Sequence, residues 1–186
     1  MERRSDLGFT LVELLTAIAV AAILFGVAVP SFTQLMERQR SWTVLNDLRT
    51  GLHQAREHAA REGRHITVCR SADARVCGSG EFWNEGWIVF EDPDGARACT
   101  VQDNGRCDHG GRVLASSPGS RTGIYLLGNH FIRDSVRYFP EGFAKASNGT
   151  FTVCDGSGTA LRAMVVAWSG RVRPAEPDDG QCPGGS

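Results

Sequence analysis

The chain has 186 residues, of which 41% are apolar and 22% are charged, and its formal net charge is −1. This composition is typical of a globular protein and excludes wholesale disorder. Because the net charge is close to zero, the chain has no global basic field that would hold nucleic acid. Any such binding has to come from a local basic patch.

The amino terminus contains the longest apolar segment. Residues 1–8 are polar and carry Arg3 and Arg4, whereas Phe9 to Val29 is almost wholly apolar apart from Glu13 and two threonines. About 20 such residues suffice to cross a bilayer as a helix, and the arginines place the leader on the cytoplasmic side. The apolar region of an ordinary cleaved signal peptide has only about 7–15 residues and should not carry a carboxylate. A plain anchor does not explain Glu13, because an acidic residue costs roughly 2.5–3.5 kcal/mol at the centre of a membrane helix.

The segment GFTLVEL, from Gly8 to Leu14, resembles the type IV prepilin motif. The resemblance implies that a prepilin peptidase cleaves between Gly8 and Phe9 and that the new amino-terminal Phe9 is N-methylated. It also implies that Glu13 serves assembly, since a buried carboxylate can be compensated by the terminal ammonium group of a neighbouring subunit. We therefore expect a leader over residues 1–8 and a membrane-spanning or fibre-core helix over residues 9–30.

A second helical segment follows, and Pro30 is expected to end or kink the first one. Apolar residues recur at helical spacing with polar residues between them, and Gly63 is a plausible stop signal. The apolar positions are Leu45, Leu48, Leu52, Ala55 and Ala59. We expect one long helix, whose half over residues 31–63 is amphipathic and packs on the domain that follows.

From residue 64 onwards the pattern changes to short strands bounded by turn residues. Strand-like runs occupy residues 66–69, 86–90, 123–127, 135–139, 151–154 and 162–168. A helix followed by short strands predicts an α+β fold in which an antiparallel sheet covers one helix face. The expected head extends over residues 64–186 and has a type IV pilin-like architecture.

Several head segments resemble the GspH/FimT family of type IV pilins and pseudopilins, most closely its FimT members. They are residues 52–59 with Gly63 and residues 66–69, Trp83 with residues 86–90 and Asp92, and residues 139–142, 149–154 and 169–173. Residues 96–120 match no pattern of that family. The resemblance implies a minor pilin and not an enzyme.

The six cysteines all follow residue 60, and none forms a C-x-x-C pair, which argues against a zinc ribbon or a thioredoxin-like site. They are Cys69, Cys77, Cys99, Cys107, Cys154 and Cys182. We expect disulfides formed in an oxidising compartment. Proximity favours bridges within the 69/77 and 99/107 couples, which leaves residues 154 and 182 to tie down the tail. Six cysteines are compatible with many other connectivities.

Residues that could support catalysis or metal binding are few. Cys99, Cys107 and His109 could ligate a metal, but a disulfide with an exposed His109 beside it is favoured because no fourth ligand is apparent. We expect no metal and no cofactor. The remaining helix-proximal histidines, at positions 53, 58 and 65, have no spacing matched to a nucleophile or acid, so surface or capping roles are expected.

The sequence Gly170-Arg171-Val172-Arg173 is the candidate binding motif. In FimT members a Gly-Arg-x-Arg near the carboxyl terminus is associated with DNA binding in natural transformation. In an extended segment Arg171 and Arg173 point to the same side, where two guanidinium groups match successive phosphates regardless of base sequence. Gly170, Arg162 and Arg121 are candidate contributors.

An alternative interpretation of the same motif is that the two arginines end a strand, are solvated and bind nothing. Glu176, Asp178 and Asp179 follow closely and would repel a phosphate backbone unless the disulfide folds the tail away. We expect an inner-membrane protein with its head in the periplasm, later built into a pilus fibre at the cell surface. The expected partners are other pilins, the pilus assembly machinery, prepilin peptidase, the inner membrane and DNA. A purely structural or priming minor pilin, a GspH-like pseudopilin of type II secretion and an envelope enzyme are the alternatives.

Overall fold

A computed structural model of the chain describes residues 10–120 and 123–183. The predicted cleavage site at Gly8 and Phe9 and the candidate Arg121 lie outside these residues. The chain divides into two compact units, Met1–Arg38 and Gln39–Ser186.

The first helix, α1, extends over Leu11–Glu62. Thr10 precedes it as an N-cap, and its Oγ1 accepts a hydrogen bond of 3.2 Å from the backbone N–H of Glu13. Pro30 lies inside α1, so of the two effects expected of it the helix end does not occur, and the chain has the one long helix that the sequence predicts. An interior proline removes a single backbone hydrogen bond, which a helix of 52 residues absorbs. Among the described residues, no helix is both long enough and apolar enough to cross a membrane.

Within the second unit, α1 buries one face. The predicted positions Leu45, Leu48, Leu52, Ala55 and Ala59 are all buried, which confirms the helical periodicity. Gly63 follows the last helical residue with a left-handed φ of 62°, and its N–H donates to the Ala59 carbonyl over 3.0 Å. The helix therefore stops where the sequence predicted, because glycine adopts this conformation without steric cost.

The strands of the described residues form two antiparallel sheets rather than the single sheet expected from the sequence. The strands are β1 (Ile66–Arg70), β2 (Trp87–Glu91), β3 (Val113–Ser117), β4 (Tyr125–Gly128), β5 (Ser135–Tyr138), β6 (Gly149–Cys154), β7 (Ala160–Val166) and β8 (Val172–Ala175). One sheet has the order β3-β2-β1-β5 and the other β4-β6-β7-β8. Strand β8 is thus an edge strand.

A common hydrophobic core joins the two sheets to the buried face of α1. At its centre the ring of Trp83 meets that of Phe151 edge-on, with centroids 5.1 Å apart. The indole Nε1 of Trp83 donates to the carbonyls of Ile132 and Arg133, so its polar atom is satisfied. The predicted α+β fold, a long helix packed on antiparallel sheets, is confirmed.

A second, smaller core explains residues 96–120, which no sequence pattern accounted for. Ile88 and Phe90 of β2 pack against Cys69, Cys99 and Cys107. The disulfides Cys69–Cys77 and Cys99–Cys107 close the loops that cover this face of the first sheet. The part of this segment that precedes β3 is therefore held by a disulfide and by a few buried side chains rather than by a regular helix or strand.

Candidate nucleic-acid interface

The two arginines of the candidate motif lie at the start of strand β8: Arg173 is in the strand and Arg171 directly precedes it. The strand pairs with β7 so that Val172 lies opposite Val166 and Arg173 opposite Val165. Val172 is buried in the core, whereas Arg171 and Arg173 are exposed, as alternation along an extended segment predicts. Within the described residues, neither guanidinium group has a hydrogen-bond or ion-pair partner. Both positive charges are therefore available to a ligand.

The glycine of the motif has a structural explanation. Gly170 lies in the turn between β7 and β8 with φ of 77°, and its N–H donates to the Ala167 carbonyl over 2.8 Å. A Cβ at this position would lie 2.0 Å from the carbonyl oxygen of Gly142. That oxygen accepts a hydrogen bond of 3.2 Å from Nε of Arg56. Gly170 thus positions the turn that places Arg171.

The turn also carries an exposed aromatic side chain that sequence reasoning missed. Trp168 is 55% exposed, and its ring centroid lies 4.8 Å from that of Phe143. The Lys145 ammonium group lies 5.7 Å from the Phe143 centroid and 5.4 Å from that of Phe139. Aromatic and cationic groups therefore adjoin Arg171 at the tip of the hairpin.

Arg162 lies on the other side of the sheet from the motif. It pairs with Val153 of β6, whose side chain belongs to the core beneath α1. Its Nε donates to Oγ of Ser41 over 3.3 Å, and its guanidinium carbon lies 5.4 Å from the ring centroid of Trp42. Arg171 and Arg173 leave the opposite face, so edge strand β8 separates them from Arg162. Arg162 can therefore contact a ligand held by Arg171 and Arg173 only if that ligand extends around the edge of the sheet.

A groove runs along this edge between α1 and the β7–β8 hairpin. Arg49, Arg162 and Arg173 contribute to its lining together with apolar side chains. None of its lining residues is acidic. Sequence reasoning missed Trp42 and Arg49 here because their helix positions gave no sign of which strand they would face.

The carboxyl-terminal tail is folded back on the second sheet. The disulfide Cys154–Cys182 ties it to β6, which is the pairing that proximity favoured. A hydrogen bond of 3.1 Å from Thr152 Oγ1 to Gln181 Oε1 holds it further. Since the neighbours of these β6 residues, Phe151 and Val153, face the core, the tail crosses the face that carries the motif arginines.

The tail that carries the acidic residues is therefore folded back, but it stays close to the motif arginines. The tail departs after Ala175, which lies about 7 Å along the strand from Arg173 and about 13 Å from Arg171 at roughly 3.3 Å per residue. At physiological ionic strength exposed charges are largely screened beyond about 8 Å. The point where the acidic tail leaves the strand is thus within one screening length of Arg173 and beyond it for Arg171.

Cys99 and Cys107 are bonded to each other in a disulfide, so neither provides a thiolate that could bind a metal. His109 is not exposed, contrary to the sequence prediction: its side chain is 15% accessible. Its Nε2 donates to the Ala98 carbonyl over 2.7 Å, and its ring lies 5.8 Å from that of Phe90. These contacts pull the imidazole into the small second core.

His109 adjoins two carboxylates, Asp92 and Asp94. The Asp92 carboxylate already accepts hydrogen bonds from Thr67 Oγ1 at 2.7 Å and from Arg137 Nη2 at 3.0 Å. Protein partners therefore account for the buried acid of this cluster. No metal is needed to compensate it.

The histidines on and just after α1 make contacts with neighbouring side chains. His58 Nδ1 lies 3.1 Å from the Glu62 carboxylate, and His65 packs edge-on against Phe139. Burial, and then the charge of Arg49, lower the pKa of His53.

Sequence comparison identifies the family. Residues 44–170, more than half of the chain, match the family described as "Type II transport protein GspH". The chain belongs to the GspH family. Residues 3–29 match the prokaryotic N-terminal methylation motif. The GspH match ends at Gly170, so membership of the family says nothing about Arg171 and Arg173. No curated protein matches the chain.

Solved structures share the fold of this GspH-family chain. The Pseudomonas aeruginosa type IV minor pilin FimU in space group P21 is 16% identical, with a TM-score of 0.54, and the match covers 80% of this chain and 96% of that one. The same pilin in space group P65 is 14% identical, with a TM-score of 0.51, over 76% of this chain and 96% of that one. At this identity the likeness establishes the pilin fold alone.

Family and motif together define the class. The chain is a structural protein of the pilin class, a minor pilin or pseudopilin, and not an enzyme. The methylation motif implies an inner-membrane precursor that a prepilin peptidase processes and that enters a pilus or secretion machine.

Proposed function

We propose that this chain is a FimT-like minor type IV pilin whose head binds extracellular DNA for uptake in natural transformation. Arg171 and Arg173 are the phosphate contacts. The observation that carries the proposal is that Arg173 on edge strand β8 and Arg171 directly before it are both exposed and without partners among the described residues. Gly170 fixes the turn in front of them.

The chemistry fits a polyanion rather than a defined sequence of bases. Two guanidinium groups on alternate residues of a strand lie about 7 Å apart at their Cα atoms. Arginine donates several N–H groups to phosphate oxygens in a fixed fork, and such contacts carry no sequence information. Two contacts give weak affinity, so useful capture requires several copies of the subunit or additional basic residues such as Arg162.

The first unit supports a place in a membrane and then in a fibre. Its large apolar side chains are exposed along α1: Leu11, Val12, Leu14, Leu15, Ile18, Val20, Ile23, Leu24 and Phe25. A contiguous apolar surface of this extent marks a lipid or protein contact. The proposed organisation is a leader over residues 1–8, a membrane or fibre-core helix over 9–30, an amphipathic half over 31–63 and the head over 64–186. Cleavage then falls between Gly8 and Phe9, and Glu13 faces the amino terminus of a neighbouring subunit.

A pseudopilin of type II secretion is the second candidate, because the matched family is described as a type II transport protein. Such a subunit would act in protein export, and a purely structural or priming minor pilin would act in fibre assembly. Neither role requires affinity for DNA. A binding measurement therefore separates both from the proposed function.

The decisive experiment is DNA binding by the full chain in detergent, measured by filter binding with a short duplex over a series of salt concentrations. Two phosphate contacts predict a slope of log affinity against log salt of about −2, independent of base sequence. The Arg171→Gln/Arg173→Gln double variant should lose most binding, and each single change should reduce the slope by about 1.

A matched control removes two exposed arginines elsewhere. Arg75 pairs with Asp103 at the surface, and Arg133 is an exposed residue that follows the short helix His130–Ile132. The Arg75→Gln/Arg133→Gln variant lowers the net charge by the same amount and should bind DNA as the parent chain does. Equal binding by parent and motif variant would refute the role of Arg171 and Arg173. Equal losses of DNA binding in the motif and control variants would show that binding depends on net charge and not on these two positions.

A further inference from the structure

The groove between α1 and the β7–β8 hairpin combines an apolar floor with basic walls. Its apolar lining comes from Trp42, Leu45, Leu161, Met164, Pro174 and Pro177. Its charged lining consists of Arg49, Arg162 and Arg173. The Arg162 side chain lies on this face of the sheet, whereas that of Arg173 lies on the opposite face, so Arg173 borders the groove only at the strand edge. Basic residues without a carboxylate among the lining residues favour an anionic occupant over a neutral or cationic one. The groove has a volume of about 160 Å³, below the roughly 300–1,000 Å³ of sites for drug-sized ligands. It accommodates a single flat group rather than a large cofactor.

Trp42 is the exposed aromatic residue of the groove. Its side chain is 47% accessible although it is one of the largest apolar residues of the second unit. The Arg162 guanidinium group lies 5.4 Å from its ring centroid and is itself held by Ser41 Oγ. The guanidinium group lies over the ring and occupies one face of the indole, so a stacked group has to use the opposite face, next to a fixed positive charge. This pair is the combination that proteins use to bind the bases and backbone of single strands.

We infer that the groove takes one unpaired base of a DNA single strand, stacked on Trp42, so that the head prefers single-stranded to duplex DNA. The inference rests on the proposed function, since the phosphates are held by Arg171 and Arg173 on the far side of edge strand β8. Arg173 belongs to both sets: it lines the groove and carries the motif. A strand that crosses β8 therefore places its backbone on the motif and a base in the groove.

Duplex DNA does not satisfy this geometry. Its bases are stacked on one another inside the helix, and only their edges are accessible in the grooves. An unpaired base can turn out and lay its face on an aromatic ring, and every base offers such a face. The site should accordingly discriminate strandedness and not sequence. Trp168, the other exposed tryptophan near the motif, already packs against Phe143 and lies outside the groove lining.

The test compares a fluorescein-labelled 12-nucleotide thymidine strand, an abasic strand of equal length and a duplex of equal length. Binding to the full chain in detergent is followed by fluorescence anisotropy. The thymidine strand should bind more tightly than both others. Trp42→Ala should weaken its binding roughly 5- to 150-fold, the loss typical of one stacked base, and leave duplex binding nearly unchanged. Trp42→Phe should restore most of the affinity.

Two exposed aromatic residues serve as controls. Phe131 lies on the short helix His130–Ile132, which contacts β6 rather than β8, and Phe131→Ala should change nothing. Trp168→Ala tests the hairpin tip. Loss of single-strand affinity in Trp168→Ala but not in Trp42→Ala would overturn the groove as the stacking site. DNA binding that is equal for all three ligands and unaffected by Trp42→Ala overturns the inference and leaves the proposed function standing. Absence of any DNA binding refutes the proposed function itself.

Discussion

Replacing Gly170 by alanine tests how the hairpin is built. Two effects add at this position. A left-handed backbone with φ of 77° costs an alanine about 1–2 kcal/mol. In addition, the new Cβ would lie 2.0 Å from the Gly142 oxygen, which therefore has to move away by at least about 1 Å. That movement disturbs the hydrogen bond from Arg56 to Gly142, and a bond to a charged donor is worth about 1.5–3 kcal/mol. We expect Gly170→Ala to lower the free energy of unfolding by roughly 2.5–5 kcal/mol.

The assay is thermal unfolding followed by circular dichroism, in which such a loss should lower Tm by roughly 5–20 °C for a protein of this size. Gly105 is the matched control, because its φ is 74° but a Cβ there meets nothing within 4 Å. Gly105→Ala should show the backbone cost alone, about 1–2 kcal/mol. Equal Tm values for the two variants would refute the steric part of the argument. A Gly170→Ala variant as stable as the parent chain would refute all of it.

Three further predictions concern the tail, a loop and the amino terminus. Removing the bridge by Cys154→Ser and Cys182→Ser should cost about 3–4 kcal/mol in denaturant unfolding, given the 28 residues that it spans. Hydrogen bonds from backbone N–H groups, first that of Val76, hold the pKa of Asp73 well below its ordinary 3.8. Its contribution to stability is thus present above about pH 4 and lost as the pH falls through the folded-state pKa, so Asp73→Asn should be less stable than the parent at pH 7 and closer to it at pH 3. Glu13→Ala should leave membrane insertion intact, since it removes a charge from the bilayer, yet impair incorporation into fibres, which immunoblots of sheared pili would measure.

The sequence predicted those parts of the fold whose signals are local. The buried face of α1 follows from apolar residues at helical spacing, and its end follows from Gly63. The N-cap at Thr10 could also have been predicted, because Thr10 and Glu13 form the T-x-x-E pattern of a capping box. Strand β3 was missed because Val113–Ser117 does not alternate between apolar and polar residues and is only partly buried. The division into two sheets depends on which strands pair, and that is set by contacts distant in sequence.

The same distinction holds for the candidate site. Alternation within one strand was enough to predict that Arg171 and Arg173 share a side and that Val172 is buried. The alternation within β8 did not show that Arg162 would lie on the opposite face from them, because that depends on the register between β7 and β8. Trp42 is more than a hundred residues from the motif in sequence, and only the packing of α1 on the second sheet makes it a neighbour of Arg162.

The position of the motif on an edge strand also offers a rival explanation for its charges. An unpaired edge tends to recruit further strands, and proteins prevent this with charged side chains and proline. Strand β8 contains both, since Arg173 is followed by Pro174, which has no N–H to donate.

Edge protection and DNA binding make different predictions for the same variants. Arg171→Gln/Arg173→Gln should aggregate if the charges protect the edge, whereas it should stay monodisperse and lose DNA if they bind phosphate. Arg171→Lys/Arg173→Lys keeps both charges and should protect the edge fully. It should nonetheless bind DNA more weakly, because a lysine lacks the bidentate fork of arginine. Light scattering and filter binding on the two double variants separate the roles, and full DNA affinity in the lysine variant would contradict bidentate phosphate contacts.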